Sequence, residues 1–80
     1  QLFVLANHDR NLLFGSKGTD VWALQVYLMF DGMPDGAKLL TVGPTGVFGL
    51  LTKNAVIEWQ KSVGLPATGY FGSMSRGAIL

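Results

Sequence analysis

Thr45-Gly46-Val47-Phe48-Gly49-Leu50-Leu51-Thr52-Lys53-Asn54-Ala55-Val56-Ile57 is written a second time, 23 residues on, as Thr68-Gly69-Tyr70-Phe71-Gly72-Ser73-Met74-Ser75-Arg76-Gly77-Ala78-Ile79-Leu80. Thr, Gly, Phe, Gly and Ala are identical, and Leu/Met, Thr/Ser, Lys/Arg, Val/Ile and Ile/Leu keep size and polarity. Such self-similarity means that one loop-plus-helix unit is used twice. Glycines flank an aromatic in each copy, so the backbone can turn on both sides while the ring points inward. Gly46, Phe48 and Gly49, and in the second copy Gly69, Phe71 and Gly72, therefore read as structural anchors of two loops. Each loop then meets a hydroxyl residue, Thr52 or Ser75, and an apolar pattern at helical spacing, so each feeds a helix.

Working outward, the periodicity predicts helices near residues 20–30, 51–63 and 73–80. For the first, Thr19 is the expected N-cap and Asp20 puts negative charge on the first turn. Val21, Leu24, Gln25 and Leu28 form one stripe, and Trp22, Val26, Met29 and Phe30 form a second, so this helix should be covered on two sides. In the second helix Thr52, Ala55, Val56, Trp59, Gln60 and Val63 share a face, and Gly64 with Pro66 ends the helix. The connection 31–44 carries Asp-Gly, Pro-Asp-Gly and Gly-Pro turn signals around Leu39-Leu40-Thr41-Val42, which fits a small hairpin or an extended loop. The fold class is all-α: a compact three-helix domain with Gly-rich connecting loops.

Eighty residues make one small domain, whose core supplies about 3–5 kcal/mol of net stability without a staple. There is no Cys and His8 is the only His, so neither a disulfide nor a zinc site is available. Packing must carry the fold, and the 49% hydrophobic content suits that. Charged residues are 14% of the chain, against about 25% in ordinary domains, and the net charge of +1 with scattered basic residues gives no footprint for nucleic acid. No apolar run reaches the roughly 18–20 residues that span a bilayer. Leu2–Ala6 is too short for a complete signal peptide. The chain starts without Met and stops within an apolar helical pattern, as expected of a piece of something longer.

The residue types for chemistry are not grouped. Asp9, Asp20, Asp31, Asp35 and Glu58 share no face of a regular element, so no general acid/base pair is visible. Ser16, Ser62, Ser73 and Ser75 lack a base with an orienting partner. The glycine loops lack the Lys-Ser/Thr ending of a phosphate loop. Catalytic residues, metal ligands and cofactors are accordingly none. Gln25 and Gln60 are polar residues inside apolar stripes. Either each amide ties a loop to its helix, or it recognises a polar ligand.

Gly15-Ser16-Lys17-Gly18-Thr19-Asp20-Val21 followed by Leu24-Gln25 and Leu28 resembles the opening of the peptidoglycan-binding domain 1 family. Thr45 to Gly49, Thr52, Ala55-Val56, Trp59-Gln60, Gly64-Leu65, Thr68 to Gly72 and Ser75 continue that pattern. The resemblance implies a noncatalytic module that holds a larger bacterial or phage envelope or secreted protein, such as a wall-lytic enzyme, on peptidoglycan. It further implies an extracellular, periplasmic or cell-wall location. It sets the domain at residues 12–80, with 1–11 as tail or linker. Two departures stand out: the connection 31–44 is longer than usual, and Trp59 stands where the family commonly has Phe.

Glycan and stem peptide both call for an aromatic platform beside polar or charged groups. On that ground the expected ligand contacts are Tyr70 and Arg76 on the second copy and Asp20, Trp22 and Tyr27 on the first helix, read as exposed or half-exposed, with Gln25 and Gln60 as the amides. The rival reading is a protein–protein packing module on the same fold, with a partner or linked domain covering the Trp22 stripe.

Overall fold

In the computed structural model, residues 10–79 are described. They form helix α1 (Thr19–Met29), a short helix α2 (Pro34–Ala37) running into a 3-10 turn (Lys38–Thr41), helix α3 (Leu50–Ser62) and helix α4 (Ser73–Ala78). The fold is all-α, as the periodicity predicts. The only extended pairing among the described residues is two isolated bridges, Leu12 with Phe71 and Lys17 with Val47. The expectations placed on Leu2–Ala6, and the last residue of the third helix, lie outside the described residues.

The core is the set that the two main stripes bring together: Val21, Leu24 and Leu28 of α1, Ala55, Val56 and Trp59 of α3, and Phe48 and Phe71 of the loops, the last two each 1% exposed. Trp59 is central to it. Its ring meets Tyr27 edge-on at 6.1 Å and lies 5.7 Å from Phe71. Val63, expected on the buried face of α3, is the C-cap residue and is exposed. The reason is the stop itself. Gly64, at φ 79°, turns the chain so that its N–H reaches the Lys61 carbonyl and that of Leu65 reaches Gln60, a Schellman arrangement that closes the helix one residue early.

Two further expectations are corrected. Thr19 does not cap α1: the N-cap is Gly18, with no side-chain cap bond, and Thr19 is the first helical residue. Gly18 takes this place because its N–H is drawn to the Gly46 carbonyl at 3.0 Å, which fixes the approach to the helix from outside it. The connection 31–44 is helical instead of a hairpin or an extended loop. Pro34 at the first helical position starts α2, the Asp31 carboxylate accepts the Met33 N–H at 2.8 Å, and Leu39 is driven into the core. Glu58 of α3 accepts the Asp35 N–H at 2.7 Å, and Gly36 lies so close to α1 that a Cβ there would stand 2.1 Å from the Leu28 carbonyl oxygen.

Candidate functional site

The site is built on the two glutamines. Gln25 Nε2 donates to the Val47 carbonyl at 2.9 Å and to Thr52 Oγ1 at 3.0 Å, and its Oε1 accepts the Gly46 N–H at 2.9 Å. Gln60 repeats the set: Nε2 donates to the Tyr70 carbonyl at 2.8 Å and to Ser75 Oγ at 3.2 Å, and Oε1 accepts the Gly69 N–H at 3.1 Å. Gly46 at φ 80° and Gly69 at φ 84° occupy the left-handed region that aims each N–H at its glutamine. Within each loop the threonine closes the turn, Thr45 with the Val47 N–H and carbonyl and Thr68 with those of Tyr70. Both glutamines are buried with their polar atoms engaged, so each works as the rivet between a helix and a loop.

A cleft opens above each rivet. One, of about 200 Å³, is lined by Gln60, Leu65, Tyr70, Ser73 and Met74, with Asn11 on its rim. The other, of about 250 Å³, lies against Gln25, Val47 and Leu50 and is walled by Leu39 and Val42 of the helical insertion. They differ in chemistry because the two copies differ in sequence. Tyr70, Ser73 and Met74 stand in the first where Val47, Leu50 and Leu51 stand in the second.

The expected contacts thus separate. Gln60 and Tyr70 share the first cleft, Tyr70 being 45% exposed. Arg76 is beside it, its Nη1 donating to the Arg10 carbonyl at 2.8 Å and to Asn11 Oδ1 at 3.3 Å. Gln25 belongs to the second cleft. The exposure expected of Asp20 is corrected: it is 2% exposed, because Arg10 clamps its carboxylate with Nε at 2.6 Å and Nη2 at 2.7 Å while Oδ1 also accepts the Val21 N–H. The hydrogen bond that Arg10 donates to Asp20 in turn raises the pKa of the guanidinium. Tyr27 is half-buried, with its hydroxyl accepting the Trp59 indole N–H at 3.2 Å. Trp22, 41% exposed, lies on the outer face of α1 away from both clefts.

Sequence reasoning missed Asn11, Leu65, Ser73 and Met74 as lining residues. For Ser73 and Met74 the available signal was that they stand where the other copy has Leu50 and Leu51; Asn11 and Leu65 lie outside both copies and carry no such signal. It also missed the approach of two carboxylates, Asp31 in the turn after α1 and Glu58 of α3. Burial chiefly, and Glu58 to a lesser degree, raise the pKa of Asp31, against the pull of the Met33 N–H. Both acids are tied to backbone amides and neither lines a cleft. No three His, Cys, Asp or Glu among the described residues gather for a metal, and no helix there is long and apolar enough to cross a membrane.

No curated protein sequence matches the chain. Among solved structures, the crystal structure of the SleB N-terminal domain is similar at 29% identity and TM-score 0.76, over 90% of each chain. The family model of the peptidoglycan binding domain matches residues 17–79, the span holding both loops, both glutamine rivets and all four helices, and the chain belongs to that family.

Proposed function

We propose that this chain is a noncatalytic module that docks a larger envelope or secreted protein on peptidoglycan, working outside the cytoplasm in the wall of a bacterium or as part of a phage protein. The domain body extends over residues 12–80. The observation that carries the reading is the cleft above Gln60, where a half-exposed aromatic side chain stands beside hydroxyl and amide groups on a riveted loop. That combination of an apolar platform and a few fixed polar groups is how small ligand sites are built. Sedimentation of the 80-residue chain with purified sacculi tests it: the protein should pellet with them and release no soluble fragments. Protein that stays in the supernatant at every sacculus concentration refutes it.

A second reading draws on the outer face of α1, where Trp22 and Phe30 are exposed, the latter by 73%. A linked domain or protein partner would cover them. Trp22→Ala should then weaken that assembly and leave sacculus pelleting unchanged. Loss of pelleting would count against it.

A further inference from the structure

We infer that the cleft above Gln60 takes one uncharged, N-acetylated sugar ring of the wall glycan, stacked on Tyr70, and that Gly72 is the positioning residue that sets the Tyr70 ring. This rests on the wall-binding reading and goes on to name the part of the wall polymer that is recognised. Every residue lining the cleft is neutral. A stem peptide brings carboxylates and an ammonium group, which need counter-charges once they leave water. The neighbouring cation, Arg76, directs its Nη1 to the Arg10 carbonyl and the Asn11 amide oxygen. A sugar ring instead offers an apolar face for an aromatic, hydroxyls for polar side chains such as Asn11 and Ser73, and an acetamido methyl for Leu65 and Met74.

The placement of Tyr70 separates the two copies. A Cβ on Gly72 would stand 3.0 Å from Tyr70 Cε2 and 3.4 Å from Cδ2, so the ring lies against bare backbone and is supported on that side. At the matching position Gly49 has nothing within 4 Å, because Val47 is too short to lie over it. Gly72 is at φ −106°, where any residue is tolerated, so its value at this position is the space it leaves for the ring. A platform held before the ligand arrives avoids the ordering cost of binding.

Amide resonances of the 80-residue chain, titrated separately with a soluble N-acetylglucosamine oligosaccharide and with a free stem tetrapeptide, test this beside sacculus pelleting. The oligosaccharide should shift Tyr70, Ser73 and Met74, and the tetrapeptide should leave them in place. Tyr70→Ala should weaken saccharide binding by about tenfold or more, roughly the 1.4 kcal/mol that one decade represents, and Tyr70→Trp should restore it. Gly72→Ala should weaken binding with the melting temperature nearly unchanged, whereas Gly49→Ala should change neither binding nor melting temperature. Pelleting on sacculi without saccharide shifts, tetrapeptide shifts at the cleft, or full affinity in Tyr70→Ala would overturn the inference and leave the wall-binding reading standing. Absence of pelleting would remove that reading itself.

Discussion

Trp59 donates its indole N–H to the phenolic oxygen of Tyr27 across 3.2 Å, and the two rings meet at 89°, so that α1 and α3 are joined near their C-terminal ends by a polar bond inside an aromatic contact. A Phe at position 59 has no proton to offer, which gives the Tyr27 hydroxyl its purpose in this chain. Tyr27→Phe leaves a buried indole N–H without its partner and should cost about 1–3 kcal/mol. Denaturant unfolding followed by tryptophan fluorescence reads that loss, and sacculus pelleting of the folded variant should be unaltered.

Removing a rivet should be worse than removing a bond. Gln60→Ala strands the buried Gly69 N–H, at about 1–3 kcal/mol, and takes from the Tyr70 carbonyl the shorter of its two bonds, at about 1 kcal/mol more, leaving it the Thr68 hydroxyl. At about 4–8 °C per kcal/mol in a domain of this size, thermal unfolding should move down by ten degrees or more. Gln25→Ala should behave alike, and a small shift in both would refute the rivets.

Two glycine-to-alanine changes should have opposite signs. Gly36→Ala drives a methyl into the Leu28 carbonyl at the α1–α2 contact and should cost about 1–3 kcal/mol through forced backbone movement. Gly77, inside α4 with nothing within 4 Å of its Cβ position, should gain about 0.4–1 kcal/mol on becoming Ala. Melting curves of the pair check both signs at once.

Asp31 should make the fold slightly less stable at neutral pH than in acid. Its Oδ2 is buried without a hydrogen-bond partner among the described residues, and burial raises its pKa above the ordinary 3.8. From about that value upward the folded chain holds the proton more tightly than the unfolded one, so stability falls as pH rises through the interval. Asp31→Asn keeps an acceptor for the Met33 N–H and removes the charge. It should raise the melting temperature at pH 7, with the gain vanishing below about pH 4.

The elements legible in the sequence were those that local pattern decides. The stripe Thr52, Ala55, Val56, Trp59 and Gln60 and the stop at Gly64 needed nothing from the rest of the chain. The insertion was not legible, because Leu39-Leu40-Thr41-Val42 has the look of a strand and α2 depends on partners in α1 and α3: the Leu28 carbonyl beside Gly36 and the Glu58 carboxylate on Asp35. Asp20 misled for the same reason, since its cation, Arg10, is ten positions away with no periodic link. In the cleft, Tyr70 could be read from the second copy of the repeat and Gln60 as the polar residue in the apolar stripe of α3. Asn11 could not, because only the Leu12–Phe71 bridge brings it there.

That bridge ties the order of synthesis to the order of folding. Leu12 exchanges N–H and carbonyl with Phe71 at 3.0 and 2.7 Å, while Gly15, Ser16 and Gly18, a few residues further on, bond to Phe48 and Gly46. The first described segment is therefore among the last to find all its partners, since Phe71 leaves the ribosome nearly sixty residues after Leu12. Until then Leu12 travels uncovered beside Leu13 and Phe14, which stay exposed even in the finished fold, and an apolar run of that kind invites aggregation or a chaperone. A chain halted after Leu65 should accordingly bind a holdase and be cut at Phe14 by chymotrypsin, and one extended through Ile79 should resist the cut.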